Sequence, residues 1–210
     1  FALPEVGGLE HPPEKIPSHL QIGAADIDLL QNTVSMTVSA WQIGSRIETT
    51  VSISNTGAGH DVPTDFPGRQ MILLVSATDT QGLPLRHIGG SSIPEWGGPQ
   101  AGLPGVAYAK VLRDVASGEE PVVSYWKQAL IVSDNRIPAL EEDVSAYTFV
   151  SPEEGGEVHL KAQLLFRRLF YDLAEEKGWD MPDILMEEAA YSLTLRPSFD
   201  IFLPMALNSQ

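Results

Sequence analysis

Between residues 32 and 40 apolar and polar positions alternate one by one, with Val34, Met36, Val38 and Ala40 set against Thr33, Ser35, Thr37 and Ser39. A period of two predicts a half-buried β-strand. The alternation returns at Ile47, Thr49, Val51 and Ile53, and the intervening residues 41–46 contain Gly44, so the two runs are expected to close as an antiparallel hairpin. The run 71–77 differs in being apolar at nearly every position, which is the pattern of a central strand covered on both faces. Alternation resumes over 144–150 and again over 158–166, while 122–131 fits neither period cleanly.

Helical spacing is confined to one region. Phe166, Leu169, Phe170 and Leu173 fall on one face of a helix that Gly178 would stop, and 181–190 reads as a second short helix before a closing strand over 191–203. The first twenty residues hold Pro4, Pro12, Pro13 and Pro17 without sustained periodicity, as in an extended arm. Residues 84–105 are crowded with glycine and proline around Trp96, too broken for a regular element and long for a passive loop, and they are expected to form a functional or interface excursion.

These elements predict a mostly β fold: an Ig-like Greek-key β-sandwich of about seven strands, with a short helical insertion near 167–190. The extended Pro-rich arm is placed at 1–30 and the sandwich at 31–210. A chain of 210 residues, 43% hydrophobic, can bury one sizeable core, and its 18 glycines and 16 prolines fall mostly between apolar runs.

Charge and cysteine usage narrow the function. The formal net charge of -15 repels polyanions, which argues against nucleic acid and anionic membrane surfaces as partners. With no cysteine there is no disulfide framework, no Cys-rich metal site and no thioether attachment of haem, so no cofactor is expected to be covalently bound. No apolar run approaches the roughly 18–20 residues that span a bilayer, and a chain opening on Phe1 is expected to have lost a leader or an upstream segment. A hydrolase lacks its parts: there is no nucleophile elbow of the G-x-S-x-G kind and no H-E-x-x-H helix. The chain is read as non-catalytic.

Few side chains are left to carry chemistry. His60, in a glycine-rich loop with Asp61 and Asp65, reads either as a turn histidine bonded to its own loop or as a ligand to a metal or to the haem iron of a neighbouring chain. Arg69, with Asp61, Asp65 or Asp134 as partners, and Arg136 beside Asp134, are expected to pin loops. Trp96 and Tyr108, in or near the irregular middle, are candidate interface anchors, with core packing the competing role for the nearby Tyr125 and Trp126.

The segment Asn55-Thr-Gly-Ala-Gly-His60-Asp-Val-Pro63-Thr64, followed by Pro67-Gly-Arg69 and an apolar strand, resembles the haem-free C-terminal β-sandwich region of a family of bacterial multihaem c-type cytochromes. Ser18-His19, Asp134-Asn135-Arg136-Ile137-Pro138, Phe166-Arg167-Arg168, Gly178-Trp179 and Asp183-Ile184-Leu185-Met186 follow in the order that region shows. The sequence departs from the pattern at Asp65, where glycine is usual, and at Asn135, where threonine is usual. The resemblance implies an extracytoplasmic setting, periplasmic or at the cell surface, and a role in docking beside a multihaem c-type cytochrome subunit, as a single copy, a homo-oligomer or part of a filament. It also supports His19, in the extended arm, as a better candidate than His60 to reach a haem c of a partner chain, with His11 a weaker version of the same idea. The alternative is an Ig-like adhesion, carbohydrate-binding or calcium-binding module.

Overall fold

The computed structural model describes residue 12, residues 23–64 and residues 66–197. Its strands are β1 (Ser35–Ile43), β2 (Arg46–Ser54), β3 (Gln70–Asp79), β4 (His87–Gly90), β5 (Gly105–Tyr108), β6 (Lys110–Asp114), β7 (Ala129–Asp134), β8 (Glu142–Val150), β9 (Gly156–Arg167) and β10 (Ile184–Leu195). Two short helices join them, α1 (Ile27–Gln31) and α2 (Tyr171–Lys177).

The strands form two four-stranded antiparallel sheets, ordered β1-β2-β8-β4 and β10-β9-β3-β5, and a separate two-stranded sheet of β6 and β7. The expected hairpin is present as β1 and β2, in unbroken register from Ser35 opposite Ser54 to Ile43 opposite Arg46, with Gly44 at positive φ in the turn. One face of each large sheet turns inward. Ile47, Val51, Ile53, Tyr147 and Phe149 from the first sheet meet Met71, Leu73, Val75, Leu160, Leu164 and Phe166 from the second in one buried core. Alternation along each strand is what produces this, because successive side chains leave opposite faces.

β3 explains why its sequence does not alternate. It lies between β9 and β5, and while Met71, Leu73 and Val75 face the main core, Ile72 packs in a second buried cluster with Ile93 and Ala107. Leu74, Trp96 and Leu165 pack against that cluster. The cover comes from the Gly/Pro-rich segment expected to be an excursion, in which Glu95–Gln100 forms a 3-10 turn. This segment therefore serves the core as a lid on the outer face of the second sheet.

Arg167 fixes that lid. Its guanidinium, 4% exposed, grips the Asp183 carboxylate with Nε and Nη2 at 2.7 Å each. It also donates to the Gly97 carbonyl at 2.8 Å and to Oε1 of Gln100 at 2.6 Å. The 3-10 turn, the end of β9 and the approach to β10 are thus joined through one side chain.

The helical insertion is shorter than the sequence pattern predicts. α2 ends where Gly178 adopts the left-handed conformation and its N–H returns to the carbonyls of Ala174 and Glu175. The second helix expected over 181–190 is instead the first half of β10, paired with β9 from Ile184 opposite Phe166 to Leu195 opposite Gly156. A shift of register between Leu185 and Glu187 breaks the alternation there, and this bulge is what makes the apolar residues fall at helix-like spacing. The Pro-rich arm lies mostly outside the described residues, but its inner end is ordered as a 3-10 turn at Gly23–Ala25 and as α1, capped by the Asp26 side chain accepting from the Leu29 N–H.

Candidate functional site

The connection from β2 to β3 folds back on itself around Asn55, which is wholly buried. The Asn55 amide donates to the carbonyls of His60 at 2.8 Å and Ile137 at 3.1 Å, and its Oδ1 accepts the Ala58 N–H at 3.2 Å. An amide side chain, with two donors and an acceptor, can satisfy three loop groups at once. Val62 and Ile137 add an antiparallel bridge with both bonds at 2.9 Å. On the other flank Gly57 donates to the Thr33 carbonyl, and a Cβ on Gly57 would stand 2.0 Å from the Asn32 carbonyl oxygen. Only glycine lets the loop lie that close to the segment leading in from the arm.

Loop, inner arm and sheet ends enclose a cavity of about 350 Å³. Leu30, Val62, Met71, Phe166 and Met186 supply an apolar lining, and His60, Thr64 and Arg69 are among the polar residues beside them.

His60 is exposed, with Nδ1 3.0 Å from the Asp61 carbonyl oxygen. A carbonyl only accepts, so Nδ1 donates this bond, and whenever the ring is neutral the lone pair is on Nε2. The turn-histidine reading and the ligand reading are therefore compatible: the bond to the loop orients the ring and frees the other nitrogen. Asp61 is held by Arg136, whose Nη2 lies 3.1 Å from its carboxylate. Arg136 also takes Asp134 through Nε and Nη2 at 2.7 Å each. The hydrogen bonds from Arg136 hold the Asp134 carboxyl below its usual range, and the same bonds raise the guanidinium. Arg69 reaches the Thr64 carbonyl at 3.4 Å.

The sequence candidates divide accordingly. His60, Asp61, Arg136 and Asp134 are brought to one end of the sandwich, with Arg69 at the cavity beside them. His11, His19 and Asp65 lie outside the described residues. Among the described residues no three His, Asp or Glu side chains gather as a metal site. Trp96 is half-buried and packs edge-on against Phe170, with centroids 5.6 Å apart. Tyr108, a candidate interface anchor, belongs to the core instead. It is 1% exposed, and its hydroxyl donates to Asp143 at 2.7 Å. Burial first and the Asp143 hydrogen bond second push the phenol well above its ordinary pKa. Tyr125 and Trp126 are exposed, not packed inside.

Two residues went unrecognised in the sequence as determinants. Asn55 directly follows an alternating strand and precedes glycines, a turn signal that gives no hint of three bonds. Arg167 gave no signal for its partners, which stand far from it along the chain.

No protein-family model matches the chain, and no curated protein matches it. Among solved structures it is similar to a penta-heme cytochrome c552 from Thermochromatium tepidum, with a TM-score of 0.62 and 19% identity. The match covers 81% of this chain and 42% of that one, so the chain spans less than half of the cytochrome's length. Two weaker likenesses, to a structural-genomics target named SoR45 and to a PapD-like domain of human CEP192, have TM-scores of 0.29 and 0.25. They cover 78% and 87% of this chain at 12% and 8% identity, and 87% and 93% of those chains.

Proposed function

We propose that this chain is a non-catalytic, extracytoplasmic docking domain of a multihaem c-type cytochrome assembly, set against a haem-bearing polypeptide by the end of the sandwich that carries residues 55–64. The observation that carries the reading is the shared fold with part of a penta-heme cytochrome over 81% of this chain. The absence of cysteine is consistent with it, because haem c attached through thioethers must then belong to sequence other than these residues. The cavity supports the same face, since an apolar opening with a polar edge suits burial against a partner.

By its chemistry His60 would suit coordination to the iron of a partner's haem: an exposed imidazole whose Nδ1 is engaged by its own loop offers Nε2. A bound haem would supply the electron-transfer chemistry. This chain's part is to hold the ring, exclude water through the apolar lining, and keep Asp61 drawn off toward Arg136.

The test is isolation of the chain from its source without denaturant, followed by the visible spectrum and mass of what accompanies it. A Soret band in a complex heavier than 22.8 kDa is the expected result. A colourless preparation at the mass of the chain overturns the proposal.

A further inference from the structure

β6 and β7 stand apart from both large sheets, and β7 exposes three consecutive apolar residues. Leu130 and Ile131 are 60% and 61% exposed, and Val132 is accessible beside them. At the connection Tyr125 and Trp126, 94% and 72% exposed, pack edge-on at 5.1 Å. Among the described residues β7 pairs with β6 alone. An open strand edge bearing consecutive apolar residues and flanked by aromatic side chains is a pairing surface.

The hydrogen-bond pattern identifies the groups that face outward. The Leu112 carbonyl accepts from the Val122 N–H, on the side of β6 away from β7, and Asp114 donates on that same side to Glu119. Both backbone groups of a residue in an antiparallel ladder point the same way, so Leu112 and Asp114 do not bond β7. Their opposites, Ile131 and Ala129, therefore turn their own N–H and C=O toward the open edge. Beyond Ile131 a register shift breaks the ladder and limits the pairing to this short stretch.

We infer that a second copy of this chain pairs here, β7 against β7, antiparallel about a two-fold axis. With Leu130 on the axis, Ala129 of each copy lies opposite Ile131 of the other, and the outward backbone groups of both residues satisfy one another. Charge favours a second copy. From residue 109 to 136 the basic and acidic side chains cancel, so the net charge of -15 resides on the rest of the chain. Two acidic copies repel over most of their surfaces and can meet through a neutral one. This inference is independent of the haem-bearing partner.

The chain contains no cysteine, which makes the test specific. Leu130 is at the non-hydrogen-bonded centre of the pair, where opposite Cα atoms are about 4.5 Å apart, within the roughly 4.4–6.8 Å of disulfides. Leu130→Cys is expected to give a cross-linked band at twice the chain mass under mild oxidation. The wild type is expected to sediment as a dimer that tightens as salt screens the acidic surfaces. Leu130→Lys, which places two like charges at the axis, is expected to sediment as a monomer with an unchanged circular dichroism spectrum. A monomeric wild type, a dimer that survives Leu130→Lys, or a Leu130→Cys variant that does not cross-link overturns the inference.

Discussion

Asn55→Ala is expected to lower stability by about 2–3 kcal/mol, or roughly 6–9 °C in Tm for a chain of this size, read by thermal and urea unfolding. The cost arises because the substitution strands groups that water cannot fully reach. The His60 and Ile137 carbonyls lose their donor and the Ala58 N–H loses its acceptor, around a residue that is wholly buried. Exposed neighbours in the same loop provide the control. Gly59, where a Cβ would meet nothing within 4 Å, is expected to tolerate alanine with a change of about 0.5 kcal/mol or less. An Asn55→Ala protein as stable as the wild type would mean that the loop is held by the Val62–Ile137 bridge alone.

Arg167→Met is expected to cost about 3 kcal/mol or more, because it leaves the Asp183 carboxylate, 18% exposed, without its cationic partner. The Gly97 carbonyl and Gln100 lose their donor in the same step. The lid over Ile72 and Ala107 should loosen, visible as new protease cleavage within residues 91–104. Replacing both members, Arg167→Met with Asp183→Leu, is expected to recover part of the loss, since a buried ion pair exchanged for apolar side chains is often near neutral. A double-mutant cycle over the four proteins gives the coupling. If the single and double replacements are equally unstable, the lid depends on the bonds to Gly97 and Gln100 rather than on the ion pair.

Residues that alternate were read correctly because burial on one face imposes the period directly, as in β1, β2, β8 and β9. β3 was legible for the complementary reason, being covered on both faces. The start of β10 was misread as a helix, since a bulge at Met186 shifts the side-chain phase and sequence spacing alone cannot distinguish that from a helical turn. The middle of the chain hid β4 to β6, which are only four or five residues long and follow a stretch rich in glycine and proline. They add to the roughly seven strands expected, bringing the described strands to ten.

For the site, the loop was visible in its composition. Its organisation was not, because Asn55 bonds to Ile137, and Asp61 to Arg136, across long separations in sequence. Tyr108 was misplaced for a related reason. It follows an irregular stretch, and its register opposite Met71, which puts it inside, is a property of the sheet.

The most direct measurement of the docking face is hydrogen–deuterium exchange on the chain alone and within the assembly isolated from its source. Peptides covering residues 55–64 should take up deuterium more slowly in the assembly than in the free chain. Equal uptake by those peptides in the two states would contradict docking through this end of the sandwich.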